Sequence, residues 1–403
     1  MDSRIASIST WEIFKIYSLS FLCGIWVYFK KIIAGLIKTE SSSKNFRDKP
    51  PSCLVESSFG IHNYVKVRGT KFHYVESGSS QSPFLLLLHG FPDCWLSWRY
   101  QIPELSKYFR VVAVDLKGFG DSDKPVKSKS YSIDVILEEL KELITSFGQS
   151  KCTVMAHDLG ALLTWHFVHK YPDMVEKLIL ISTPHPNLYW DNLPSQSNLN
   201  LSWLCFLQIP RLPEADALKD DLKIINNWHS HLQEKDVFLD AYKYTFSRPE
   251  DWIGPFNYFR NLPFIRICDI SRQIENMTLL VVGGKDRVVS LESIVKSSEF
   301  CEKFVVKIVD GCGHFPHQEN HQVFNNTVIN FLKVKRPIEK NLERSPSKSL
   351  VNKMFGAVSS TVKYGNSVID SVQKRTNGVV GNIPTLAFSL TQFPGVATKS
   401  NIS

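Results

Sequence analysis

Thr153-Val154-Met155-Ala156-His157-Asp158-Leu159-Gly160-Ala161 is the stretch that decides how this chain reads. An apolar run leads into a tight turn and then into helix-forming residues. That is the strand–turn–helix elbow of a G-x-S-x-G pattern, with Ala156 in place of the first glycine and Asp158 in place of the serine. The replacement changes the chemistry. A serine hydroxyl attacks acyl carbon and needs a base to remove its proton. An aspartate is already ionised at neutral pH and can attack a saturated carbon, leaving an alkyl ester that water must cleave.

Outward from the elbow the chain alternates strand and helix patterns. Strands are predicted at Tyr64–Arg68, Lys71–Glu76, Phe84–Leu88, Val111–Asp115, Cys152–Met155, Lys177–Ser182, Thr278–Val282 and Phe304–Val309. Unbroken apolar runs such as Leu85-Leu86-Leu87-Leu88 suit strands covered on both faces of a parallel sheet. Ser132–Phe147 reads as a helix with Ser132 as its N-cap. The expected fold class is α/β, with a mostly parallel eight-stranded sheet. From about 184 to 262 the alternation stops and aromatic, asparagine-rich helical stretches take over. An insertion there predicts a helical cap over the carboxyl ends of the strands, where open α/β sheets bind ligands.

Three further motifs follow strands in a consistent order. His89-Gly90-Phe91-Pro92 offers the Phe91 backbone N–H, which joins that of Leu159 as an oxyanion-hole pair. Asp286 follows Val281-Val282-Gly283-Gly284-Lys285, and His314 lies in Asp310-Gly311-Cys312-Gly313-His314-Phe315. The chain order nucleophile, acid, histidine fits Asp158 as nucleophile, Asp286 as the group that orients the imidazole, and His314 as general base.

Of 47 Lys/Arg and 39 Asp/Glu, residues 333–403 hold eleven and three, residues 1–50 hold eight and four, and the body between them holds 28 and 32. The net charge of +8 therefore belongs to the ends. A body without a clustered basic face excludes nucleic acid as its partner. The eight cysteines form no C-x-x-C and no regular framework, so they read as free thiols of a reducing compartment. Cys312 and the histidines near it lack metal-ligand spacing, and no metal or organic cofactor is expected.

The ends carry their own expectations. Ile13 to Phe29 is mostly apolar, with Lys30-Lys31 behind it, and together with Ile32–Ile37 it is long enough for a bilayer of about 30 Å. Residues 1–40 are therefore expected to be a single-pass anchor. The positive-inside rule places the catalytic body in the cytoplasm, on an endoplasmic reticulum membrane. Residues 41–58 read as a linker and 59–336 as the catalytic domain. Residues 337–403 form a basic tail in which Val351, Phe355, Val358, Val362, Ile369 and Val372 make an amphipathic stripe.

Taken together, the His89–Pro92 and His157–Gly160 motifs, Gly313-His314 and Asp115-Leu116-Lys117-Gly118-Phe119-Gly120-Asp121-Ser122-Asp123-Lys124-Pro125 resemble the epoxide hydrolase branch of the α/β-hydrolase superfamily. The likeness covers roughly residues 60–335. With the expected anchor, the chain looks most like the membrane-anchored epoxide hydrolases of animals. The resemblance implies attack by Asp158 on an epoxide carbon, two cap tyrosines bonded to the ring oxygen, and ester hydrolysis by His314 and Asp286. The carbon-rich cap and the expected anchor suggest a small apolar, lipid-derived epoxide as substrate.

In the cap this chain departs from the pattern. Trp203 stands five residues before Gln208-Ile209-Pro210, and Phe259 stands before Arg260-Asn261, where the family has its tyrosines. Tyr258, one place earlier, is expected to serve as proton donor. Trp203, Phe259 and Phe315 are expected to line the pocket, with Leu159 and Phe315 replacing the family's tryptophans. Two other functions stay open at this stage. One is a haloalkane-type dehalogenase with the same nucleophile, for which Leu159 supplies no halide donor. The other is a non-catalytic lipid-binding descendant, suggested by the lost tyrosines.

Overall fold

The structure is a computed structural model that describes residues 5–37, 47–194, 197, 200–268 and 273–333. The tail from 337 onward, with its amphipathic stripe, lies outside the described residues, as does most of the first half of the expected linker.

Ten strands are described: β1 (Ile5–Ser7), β2 (Ile61–Val67), β3 (Thr70–Ser77), β4 (Phe84–Leu88), β5 (Arg110–Val114), β6 (Cys152–His157), β7 (Val175–Ile181), β8 (Ile265–Ile267), β9 (Met277–Gly283) and β10 (Phe304–Val309). Eight of them form one sheet in the order β10-β9-β7-β6-β4-β5-β3-β2. The five pairings from β10 to β5 are parallel. The two that attach β3 and β2 are antiparallel. Each of the eight strands expected from the sequence overlaps one of these.

The periodicity explains the layering. Leu85 to Leu88 on β4 and Val111 to Val114 on β5 have no exposed surface, because helices cover both faces of the central strands. Each such side chain contributes about 1.5–3 kcal/mol of burial. The helices of the body begin with α1 (Thr10–Ile37), α2 (Ile102–Leu105), α3 (Ile133–Ser146) and α4 (Asp158–Lys170). Helix α3 starts after Ser132 as expected, although the Ser132 side chain makes no capping bond. Between β7 and β9 stand the cap helices α5 (Pro186–Asp191), α6 (Leu201–Leu207), α7 (Leu212–Ala217), α8 (Lys223–Trp228), α9 (Val237–Thr245) and α10 (Glu250–Phe259). The body closes with α11 (Leu291–Lys296), α12 (Pro316–Glu319) and α13 (His321–Leu332). All eight cysteines are free thiols.

The N-terminal expectation is corrected. Residues 10–37 do form one helix, yet among the described residues no helix is long and apolar enough to cross a membrane. The physical reason lies in the helix's own composition. Lys15, Ser18, Ser20 and Gly24 interrupt its apolar run, and Lys30-Lys31 closes it. The helix also spends part of its apolar surface on the protein itself. Tyr17 stacks on Phe264 with ring centroids 5.4 Å apart, Gly24 packs against Ile209, and Cys23 is buried. Just before it, β1 pairs antiparallel with β8. The single-pass anchor, the membrane partner and the endoplasmic reticulum topology built on that anchor are therefore withdrawn.

Candidate active site

Asp158 ends the elbow in a backbone conformation that few side chains tolerate, with φ of +44°. The turn holds because Gly160 brings α4 against β4. Its N–H donates to the His89 carbonyl at 3.1 Å, and a Cβ at Gly160 would stand 2.5 Å from the Leu88 oxygen and 2.6 Å from that of His89. The strained turn at a strand end lifts the carboxylate above the sheet, and the N-terminus of α4 favours its negative charge.

Three loops at strand ends converge on it. The Phe91 N–H, after β4, donates to Asp158 Oδ2 at 2.9 Å. After β10, His314 places Nε2 3.5 Å from Asp158 Oδ1. After β9, Asp286 Oδ2 lies 2.9 Å from His314 Nδ1, while its Oδ1 accepts from Val288 N–H at 2.8 Å. Asp158 is completely buried and His314 nearly so. Burial alone would discharge the imidazole, but the Asp286 charge, seconded by Asp158, raises its pKa to about 10. Burial likewise works against the Asp158 carboxylate, and the His314 imidazole beside it nonetheless holds its pKa below the ordinary value.

The wall is aromatic. Phe91 packs against Trp203 (centroids 5.8 Å), Phe259 (5.1 Å) and Trp228 (5.7 Å). Phe315 meets the His314 ring edge-on, and Trp228 lies 5.9 Å from that ring. Leu159 is fully buried behind the elbow. Such a lining removes water from the nucleophile and accepts apolar groups. A surface groove of about 970 Å³ between Arg47, Gln208, Arg248 and Arg260 includes none of these residues.

Tyr258 is placed elsewhere. Its hydroxyl donates to the Lys117 carbonyl at 3.1 Å, and its ring packs on Tyr131 and Phe119. One step along a helix turns a side chain by about 100°, so the neighbour of Phe259 faces another direction. It is Phe259, not Tyr258, that packs against Phe91 beside the carboxylate.

Trp228 was not legible as a site residue, because nothing in its spacing ties α8 to His314. A buried polar network beside the histidine loop was equally hidden. His157 Nε2 lies 2.9 Å from the His314 carbonyl oxygen. Among the described residues, Asp93, His157 and His317 form one group with donor atoms within 4.8 Å of one another, close enough to hold a metal ion. Ser97 Oγ already joins Asp93 Oδ2 (2.6 Å) and His317 Nε2 (2.9 Å), so those two members of the group are tied together by hydrogen bonds. Burial pushes the Asp93 carboxyl up to about 7.

A buried carboxylate on an elbow, facing a histidine backed by a second carboxylate, is the epoxide hydrolase arrangement and suits hydrolysis through an alkyl-enzyme. Residues 83–321 match the family described as alpha/beta hydrolase fold. Human epoxide hydrolase 4 is 34% identical over 330 residues, covering 77% of this chain and 91% of that protein. The chain belongs to the α/β-hydrolase family, in its epoxide hydrolase branch. Epoxide hydrolase 3 of Xenopus tropicalis is 35% identical, with 71% of this chain and 82% of that protein covered. Among solved structures, a Bacillus megaterium epoxide hydrolase in complex with an inhibitor superposes with a TM-score of 0.58 at 28% identity. It covers 68% of this chain and 100% of its own. Epoxide hydrolase A of Mycobacterium thermoresistibile gives 0.59 at 25%, covering 68% and 98%. In the cap, at the positions where the resemblance led to an expectation of tyrosines, Trp203 and Phe259 bring indole and phenyl rings to the wall.

Proposed function

We propose that this epoxide hydrolase converts small apolar epoxides to vicinal diols through an ester on Asp158. The observation that carries the reading is the division of labour between the two oxygens of that carboxylate. Oδ2 accepts the Phe91 N–H, while Oδ1 has no hydrogen-bond partner and faces His314 Nε2. Oδ1 attacks the less hindered epoxide carbon and the ring C–O bond breaks. Oδ2 becomes the ester carbonyl oxygen, already bonded to a donor. With Leu159 N–H at the start of α4 as the second donor, the oxyanion of the hydrolytic step is stabilised in place.

Alkylation also prepares the second step. Forming the ester removes the negative charge of Asp158, one of the influences that hold a proton on His314. The imidazole pKa then falls, and the neutral ring can take a proton from water as that water adds to the ester carbonyl. Asp286 keeps the ring oriented and stabilises the imidazolium that results. The aromatic wall favours apolar substituents on the epoxide.

The test uses styrene oxide in ¹⁸O-labelled water under single-turnover conditions, with mass analysis of the peptide that holds Asp158. Label entering the Asp158 carboxylate is expected, and His314→Gln should accumulate the alkylated peptide. Label confined to the diol, with turnover surviving Asp158→Asn, would overturn the reading.

A further inference from the structure

His314 sits in a glycine-rich loop that follows β10, where Gly311 takes a φ of +81°. Side chains from elsewhere grip the backbone of this loop. Glu319, on α12, accepts from the Gly313 N–H at 2.7 Å with one carboxylate oxygen and from the Phe315 N–H at 3.0 Å with the other. The N–H groups on either side of His314 are thereby fixed. The His314 carbonyl meets a different residue, His157, whose Nε2 lies 2.9 Å away.

That contact settles how His157 is protonated. A carbonyl oxygen only accepts, so the ring carries its proton on Nε2 and a lone pair on Nδ1. Burial pushes the His157 pKa down to about 3, and the His314 charge adds to the effect, so the ring is neutral and has a single N–H to give. Nδ1 has no hydrogen-bond partner and faces Gly90, where an added Cβ would stand 2.7 Å from it. The ring also packs against Phe315 (centroids 4.9 Å) and His317 (4.6 Å), and it is fully buried. His157 is thus wedged between the turn that presents the Phe91 N–H and the loop that presents His314. It ends β6, immediately before Asp158 in the chain. One residue therefore joins the three parts of the site that must stay in register.

We propose that His157 is a positioning residue for the ester-hydrolysis step: its Nε2–H holds the His314 backbone carbonyl and so keeps the imidazole aimed at the Asp158 ester. The inference deepens the reading above and rests on His314 being the base. No bond to substrate is made or broken at His157, which acts through His314. A buried carbonyl deprived of its donor is costly, and the loop would shift to find another partner. A displacement of about 1 Å in a catalytic group can cost about 100-fold in rate.

Rapid-quench single turnovers with styrene oxide give the rate of Asp158 alkylation and the rate at which the ester is lost. Two variants separate a donor from a space-filler. His157→Phe keeps a ring and loses the N–H. His157→Gln loses the ring and offers an amide N–H to the same carbonyl. The ratio of ester hydrolysis to alkylation should fall by about tenfold or more in His157→Phe, and His157→Gln should recover most of it. An unchanged ratio in His157→Phe, or the opposite order with the glutamine variant the more impaired, would mark a packing role and overturn the proposal. ¹⁵N NMR of the unsubstituted protein gives a check that needs no variant to fold. The His157 ring should be the neutral Nε2–H tautomer at neutral pH, and an Nδ1–H tautomer would overturn the bond on which the role depends. Absence of any Asp158 ester in the unsubstituted protein would overturn the nucleophile and the role of His157 together.

Discussion

Asp158 Oδ1 lies 3.5 Å from His314 Nε2, and neither atom has a hydrogen-bond partner. The two groups that act in succession thus hold each other charged in the resting protein. Burial opposes both charges, so the pair persists because each charge, with Asp286 behind the imidazole, supports the other.

Stability should follow pH accordingly. The folded-state pKa of His314, about 10, lies above the ordinary imidazole value of roughly 6.5. Its contribution is complete below pH ~6.5 and is lost as pH rises through about 10. Thermal unfolding between pH 6 and 10 should show a falling Tm. Asp286→Asn should remove most of that slope, because the Asp286 charge is the strongest influence raising the imidazole. An identical slope in both proteins would contradict the assignment.

Gly160→Ala should cost both stability and activity. The added carbon would stand 2.5 and 2.6 Å from two backbone oxygens at the β4 end, well inside ordinary contact distance. Overpacking of this kind costs about 1–3 kcal/mol. Urea unfolding gives the first quantity, and alkylation of Asp158 by styrene oxide gives the second.

Tyr258→Phe should separate a structural hydroxyl from a catalytic one. It removes the bond to the Lys117 carbonyl and leaves that buried acceptor unpaired, a loss of about 1–3 kcal/mol. Alkylation of Asp158 should proceed at the unsubstituted rate. A large fall in that rate with unchanged stability would restore Tyr258 as proton donor.

Lys117→Met tests the support beneath the cap. Lys117 Nζ lies 2.5 Å from Glu139 Oε2, and both side chains are almost completely buried. Removing the cation strands a buried carboxylate, at a cost of about 3–5 kcal/mol. Replacing both as Lys117→Met with Glu139→Gln should recover part of the loss in the same unfolding experiment.

The one-dimensional pattern was enough for the sheet and its three catalytic candidates. Strand runs such as Leu85–Leu88 reveal burial on both faces. Asp158, Asp286 and His314 each sit one short loop beyond a strand, so placing the strands also places the residues. Side-chain direction within the cap was a different matter. Tyr258 and Phe259 are adjacent in sequence, and only the docking of α10 decides which of them faces Phe91. Trp228 approaches His314 from a cap helix whose packing leaves no periodic signature. The N-terminal helix makes the same point. Its length could be read from its residues, but its stacking on Phe264 and Ile209 could not, because contacts between distant segments depend on the shape of surfaces that exist only once the chain has folded.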